Sequence, residues 1–170
     1  MIYTIGHSSH SLDSFLALLE GVGCEWVVDV RSVPYSRRFR QFNRELLADS
    51  LRGHGMGYVF MGKELGGRLL ERMSLEEYFG RAEFREAMGR IMEAERKGRV
   101  VLMCAERDPM WCHRALVLGW WLHERGVEVG HILASGEVMT HQEFERKLLE
   151  RYGEKDLSRA YLKQLDLVYG

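Results

Sequence analysis

The stretch Val100-Val-Leu-Met-Cys-Ala-Glu-Arg-Asp-Pro-Met-Trp-Cys-His-Arg114 decides the fold class. Its first four residues, Val100 to Met103, are an unbroken apolar run, which predicts a strand covered on both faces. Cys104 falls where that strand should stop. Asp108-Pro109 then reads as a helix start: a carboxylate that can cap free N–H groups, followed by a proline whose missing N–H costs nothing at the first helical position. Cys112, His113 and Arg114 are expected in the first turn. An apolar helix, Ala115-Leu-Val-Leu-Gly-Trp-Trp-Leu122, should follow and close at Gly126. A thiol, two acids, an imidazole and a guanidinium therefore crowd one strand-to-helix junction.

Upstream, the same alternation repeats. Ile2 to Ile5 reads as a short strand and Gly6 to Ser11 as a polar turn. Leu12, Phe15, Leu16, Leu19 and Val22 recur at helical spacing until Gly21 and Gly23. Trp26 to Val30 reads as a second buried strand, and this strand-helix-strand unit predicts a parallel pair joined by a right-handed crossover. Arg31 to Phe42 is irregular, with Pro34 arguing against regular structure. Asn43 can cap a short helix to Gly53, and Tyr58 to Met61 is a third strand. Gly62 to Arg68 is expected to be a flexible loop. Ser74 and Thr140 each open a capping box, and Phe84, Ala87, Met88, Ile91 and Met92 mark a longer amphipathic helix. Val127 to Leu133 is a fifth strand. Asp156 to Gly170 gives no clear pattern. The expectation is one α/β domain over residues 1–170: a three-layer sandwich around a mostly parallel sheet of about five strands.

Composition narrows the function. The length suits a single core. The net charge of −1 gives no global case for nucleic acid or an anionic membrane, so local patches must carry any such argument. No apolar run approaches the roughly 20 residues needed to span a bilayer, and the opening residues do not read as a secretory signal. Three cysteines form no disulfide framework, which points to the cytoplasm. A single Asn and three Gln beside many Glu and Arg fit a thermophile.

In parallel sheets, ligands bind beyond the carboxyl ends of the strands. That rule collects the loops at Gly6, Arg31 and Cys104. Near a helix start, Arg114 and His113 are unfavourable unless a bound anion, or Asp108 and Glu106 as internal counterions, offset them. Arg31, Arg37, Arg38, Arg40 and Arg44, with Tyr35, Phe39 and Phe42 among them, suit phosphate and bases, or else form a solvated basic loop. Cys104 is a candidate nucleophile, but Met110 stands where a phosphatase or sulfurtransferase loop carries its arginine. His7 and His10 with Cys104, Cys112 and His113 offer zinc ligand types at a spacing that matches no familiar zinc module, so no metal is assigned. Ser8 and Ser9 lack a nucleophile elbow. His54, His123, His131 and His141 have no partner pattern. Trp120 and Trp121 mark either a contact with a second copy, hence a homo-oligomer, or a wide helix-sheet interface.

The motifs Thr4-Ile-Gly-His-Ser8, Asp29-Val-Arg31 with Pro34 and Ser36-Arg37, Leu65-Gly-Gly67, Leu102-Met-Cys-Ala-Glu106 and Cys112-His-Arg114 together resemble an uncharacterised bacterial and archaeal family. It is the domain of unknown function numbered four hundred and eighty-eight. The resemblance runs from the first strand to about Leu133. It implies a compact cytoplasmic α/β domain and supplies no activity. It favours His7, Asp29, Arg31, Arg37, Cys104, Glu106, Cys112, His113 and Arg114 as a shared polar set.

The functional expectation is a strand-end pocket for an anionic, phosphate-bearing ligand, a nucleotide or nucleic-acid end. Arg31, Arg37 and Arg114 would hold the anion, with Ser8 and Cys112 beside it. His7 or His113 would act as acid or base, oriented by Asp29 or Glu106, with Cys104 as nucleophile or filler. The alternatives are a non-catalytic nucleic-acid module using the Arg37–Arg44 loop and a metal-dependent hydrolase.

Overall fold

The computed structural model describes residues 1–170. Six strands form one sheet: β1 (Ile2–Gly6), β2 (Trp26–Asp29), β3 (Gly57–Phe60), β4 (Val100–Cys104), β5 (Val129–Ile132) and β6 (Val138–Thr140). Their spatial order is β3-β2-β4-β1-β5-β6. All pairings are parallel except β5 with β6. The sixth strand is an edge hairpin beyond the five expected. Its loop contains Ser135 and Gly136, the latter at φ +89°, where glycine meets no steric cost. β1 and β2 are parallel, but β4 lies between them, so they do not form the adjacent pair that the sequence pattern suggested.

Helices cover both faces, giving the three layers. On one face lie α1 (Leu12–Gly21) and α2 (Arg44–Gly53). Phe15, Leu16, Leu19, Leu47 and Leu51 pack there on Ile5, Val27, Val101, Met103 and Ile132. On the other face lie α3 (Gly62–Leu65), α4 (Leu75–Gly80), α5 (Ala82–Lys97), α6 (Trp120–His123), α7 (His141–Tyr152) and α8 (Leu157–Tyr169). Strand residues of opposite parity, such as Val28, Val100 and Leu102, meet Tyr78, Phe84, Met88, Leu116, Phe144 and Tyr161 there. The period-two alternation of β4 thus feeds two apolar cores at once, which is why Val100 to Met103 carries no polar residue.

Four local expectations change. Asp108 does cap a turn, its carboxylate accepting from the Met110 N–H at 2.9 Å, but that turn is a short 3₁₀ segment, Pro109–Trp111. Cys112 then returns to extended backbone, with φ −133° and ψ +136°. A π-helical turn, Arg114–Gly119, follows and runs into α6. The junction is therefore two turns hinged at Cys112, not one helix. Gly62 to Arg68 is ordered as α3 and the start of a 3₁₀ turn (Gly67–Glu71) rather than a loose loop. Asn43 precedes α2, yet its Oδ1 accepts from the Ser36 N–H at 2.6 Å, so it pins the arginine-rich loop instead of capping the helix. The final segment is α8, capped by the Asp156 carboxylate. Trp120 and Trp121 both find partners within the chain. Trp120 stacks on Tyr161 with ring centres 4.8 Å apart, and Trp121 meets Phe84 edge-on at 5.4 Å. No helix is long and apolar enough to cross a membrane.

Candidate functional site: a two-lobed crevice at the strand ends

β1 and β4 are neighbours, but their chains leave the sheet toward opposite faces, β1 into α1 and β4 toward α6. A crevice must open where such connections diverge. The two exits stay bonded to each other just beyond the strands. The His7 N–H donates to the Cys104 carbonyl at 2.8 Å, and the Ser8 N–H donates to the Ala105 carbonyl at 3.0 Å. Gly6 permits this approach, because a Cβ at that position would run into the Glu106 carbonyl.

The crevice has two lobes that share Arg31, Val33, Ala105 and Glu106. The first, about 550 Å³, adds His7, Ser8, Ser9, Ser36, Arg38 and Arg107. The second, about 320 Å³, adds Cys104, Cys112, His113, Arg68, Glu71 and Tyr169. Residues from the three expected loops therefore do converge. His7 and His113 fall in different lobes, and Arg31 bridges them.

Under the first lobe runs a fixed polar chain. The Asp29 carboxylate accepts from the Arg31 Nε at 2.9 Å, the Arg31 Nη2 at 2.7 Å and the Tyr58 hydroxyl at 2.6 Å. Arg31 Nη2 also donates to the Phe42 carbonyl at 2.8 Å, and Nη1 faces His7 Nε2 at 3.3 Å. A guanidinium can only donate, so His7 Nε2 is the acceptor and its proton sits on Nδ1, which donates to the Ser8 carbonyl at 2.9 Å. Burial, the largest cause, together with the Arg31 charge, holds the His7 imidazole down at about 4, so the ring is neutral near pH 7. The ring stacks on Phe42 at 4.4 Å. Ser8, at φ +47°, is the one non-glycine residue in the left-handed region.

The second lobe gathers Cys104, Cys112 and His113. His113 Nδ1 lies 3.8 Å from the Cys104 sulfur and 3.7 Å from the Cys112 sulfur. All three residues are buried. The extended backbone at Cys112 turns its thiol toward the end of β4, which a continuous helix would not do. Cys104 is pushed up by its hydrogen bond with Cys112 and by burial. Burial opposes ionisation of Cys112 as well, yet the same hydrogen bond, the Arg114 charge and His113 together pull it down. Arg114 itself is fully buried, with Nη1 on the Glu106 carbonyl at 2.6 Å and Nη2 on the Arg107 carbonyl at 3.2 Å. It has no carboxylate partner and lines neither lobe. Arg37 is exposed beside the first lobe and is not part of its wall. Glu106 is exposed at the divide between the lobes.

Some polar groups were not legible from spacing. Tyr169, from the last turn of α8, sits beside His113: a Cβ on Gly67 would lie 3.0 Å from His113 Nδ1 and 3.3 Å from the Tyr169 hydroxyl. Away from the crevice, a buried relay runs Thr4–His131–His141–Tyr161–Glu145, with successive contacts of 2.8, 2.9, 2.8 and 3.1 Å. Because Tyr161 donates to Glu145, each upstream group passes one hydrogen bond along the chain, and both histidines are neutral. His54 and His123 stay at the surface beside Glu20 and Glu145.

Fold and crevice together define the class: an α/β sandwich whose crevice opens at the point where the strand order reverses. Within that class, residues 11–121 match the family model described as Domain of unknown function DUF488, which is well over half of the chain. The chain belongs to this family. No curated protein and no solved structure matches it.

Proposed function

We propose that residues 1–170 act as a single α/β domain that binds an anionic, phosphate-bearing ligand, a nucleotide or nucleic-acid end, in the first lobe of the crevice. The observation that carries this reading is the charge of that wall: Arg38 and Arg107 against the single carboxylate of Glu106, with Arg31, its charge paired with Asp29, and Ser8, Ser9 and Ser36 alongside. Guanidinium groups and hydroxyls suit phosphate oxygens. In this reading Arg31 is a fixed anchor held by Asp29 and His7, and the mobile contacts come from Arg38 and Arg107 rather than from Arg37 and Arg114. Hydrolysis or transfer would draw on Cys104, His113 and Glu106 across the divide, with Cys112 beside them. The three free thiols suit a reducing compartment, the cytoplasm.

The nucleic-acid docking module is the weaker reading. Two of its three aromatic groups are already engaged: Phe42 is buried under His7 and Phe39 lies under the Arg38 guanidinium at 5.3 Å, which leaves only the exposed ring of Tyr35, whose hydroxyl donates to Glu45 at 2.8 Å. Calorimetric titration with pyrophosphate and a nucleoside monophosphate tests the choice. Binding that weakens about tenfold in Arg38→Ala and in Arg107→Ala supports the pocket, since tenfold corresponds to about 1.4 kcal/mol and a charged hydrogen bond contributes at least that much. Affinity for single-stranded nucleic acid that is steeply salt-dependent, with no affinity for the small anions, would favour the docking module.

A further inference from the structure

We propose that Cys104, Cys112 and His113 form a binding site for one thiophilic divalent cation, zinc in the first instance, with its fourth position open to the second lobe of the crevice.

The geometry is the first support. Zinc binds sulfur at about 2.3 Å and imidazole nitrogen at about 2.0–2.1 Å, so a tetrahedral ion places sulfur and nitrogen roughly 3.6 Å apart. His113 Nδ1 stands 3.7 Å from one sulfur and 3.8 Å from the other. The three donor atoms all lie within 4.8 Å of one another. They come from two structural units: Cys104 ends β4, whereas Cys112 and His113 occupy the hinge between the 3₁₀ turn and the π-helical turn. That hinge aims both donors back at the strand end. The break in the helix that the sequence pattern did not foresee is thus what assembles the cluster.

The imidazole turns one nitrogen to the sulfurs and leaves the other unpaired. His113 is about 3% exposed, yet its Nε2 has no hydrogen-bond partner. A buried ring nitrogen without a partner costs free energy that a neutral, satisfied core histidine would avoid. Its other nitrogen faces two sulfurs across distances long for strong hydrogen bonds. A metal on Nδ1 would take up the nitrogen that faces the sulfurs and fix the proton on Nε2, which stays without a partner in the chain.

Charge and shape agree. Each thiol loses its proton as the ion enters, so one divalent cation replaces two protons and the net charge of the cluster is unchanged. Arg114, buried and lacking a carboxylate, gives the two thiolates a nearby counter-charge. Sulfur and imidazole donors select zinc over magnesium or calcium. Three protein ligands leave one position, which is the arrangement of a reactive rather than a structural zinc. That position faces a cavity of about 320 Å³ lined by Arg68, Glu71, Glu106 and Tyr169, where water or a ligand oxygen can enter.

The site shares Cys104, Cys112 and His113 with the proposed catalysis but lies outside the anion-binding wall, so it fails separately from anion binding, which the Arg38 and Arg107 variants report. The test uses the reduced full chain under anaerobic conditions, titrated with Co²⁺ and then Zn²⁺. The expected result is one equivalent of Co²⁺ bound, with a thiolate-to-cobalt charge-transfer band and the visible bands of a four-coordinate ion, bleached by one equivalent of Zn²⁺. Cys104→Ser, Cys112→Ser and His113→Ala lose the signal. Cys24→Ser and Arg38→Ala keep it. Because buried variants can misfold, alkylation of the unaltered chain provides a parallel readout: Zn²⁺ slows modification of Cys104 and Cys112 and leaves that of Cys24 unchanged. Absence of the charge-transfer band in the reduced chain overturns the proposal. So does a band that survives Cys112→Ser, or a Cys104–Cys112 disulfide whose reduction restores no metal uptake.

Discussion

Arg31 and Asp29 are joined in a two-pronged ion pair, Nε to Oδ1 at 2.9 Å and Nη2 to Oδ2 at 2.7 Å, with both side chains shielded from water. The two residues are separated by only one position, and the Arg31 N–H also donates to Asp29 Oδ1 at 3.1 Å, so the pair fixes the chain just past the end of β2. It converts an arginine that the sequence offers as a free ligand contact into a rigid strut. Only one face of that guanidinium, at Nη1, is left to His7 and the crevice. The Asp29 carboxylate balances that guanidinium, so the positive potential of the first lobe comes from the exposed Arg38 and Arg107 around it.

Breaking that pair should be costly. Asp29→Asn keeps the shape but leaves the Arg31 charge buried without a counterion. The expected loss is about 3 kcal/mol or more in chemical unfolding, because removing one partner of a buried pair costs roughly 3–5 kcal/mol. A loss under about 1 kcal/mol would show that Arg31 swings out to solvent.

Arg114 makes a different prediction. It holds the Glu106–Arg107 backbone through two separate carbonyls. Arg114→Lys should not restore this, since an ammonium is a point charge without the planar fork. Hydrogen exchange should rise across residues 105–108 in the variant, with a drop of a few kcal/mol in stability. Unchanged exchange in that loop would mean the two contacts do not hold it.

The histidine relay sets a pH dependence. Burial is the main cause that lowers His141, with the His123 charge adding to it, down to about 3. The groups that face it are His131 from β5, His123 from α6, Tyr161 from α8 and Glu145 from its own helix. In the unfolded chain it titrates near 6.5. Above that pH both states are neutral and the relay's stability is complete. As pH falls below 6.5 the unfolded state gains the proton first, so stability declines by up to a few kcal/mol on the way to pH 3. Unfolding measured at pH 7.5 and pH 5 should show this decline, and His141→Gln should make it shallower while leaving the share of His7 and His131, which burial lowers as well. A profile as steep in the variant as in the parent would place the proton uptake elsewhere.

Much of the fold was legible because period and punctuation agree. β1, β2 and β4 are apolar runs that end in polar residues, and the capping boxes at Ser74 and Thr140 are both formed. β6 was missed because three edge residues carry almost no periodicity, although Ser135-Gly136 is a turn signal. α8 was legible in retrospect: Asp156 caps it, and Leu157, Ala160, Tyr161, Gln164 and Val168 recur at helical spacing. Glutamine at a core position, where it accepts from Tyr152 and donates to the Met110 carbonyl, disguised that stripe. The strand-end rule brought the right loops together. It could not say that Arg31 and Arg114 would be consumed by Asp29 and by backbone carbonyls, because those contacts depend on where the chain turns at Val30 and at Cys112. The convergence of Cys104 with Cys112 and His113 depends on the same hinge, and a spacing of eight residues between the cysteines signals nothing by itself.

The central claim is that the first lobe of the crevice takes phosphate. An NMR titration of the isotopically labelled chain with pyrophosphate tests it most directly. Saturable shifts centred on the amides of Ser8, Ser9, Ser36, Arg38 and Arg107, abolished in the Arg38→Ala, Arg107→Ala double variant, are the predicted result. Shifts that stay absent at millimolar pyrophosphate, or that fall on a different face of the sheet, would contradict it.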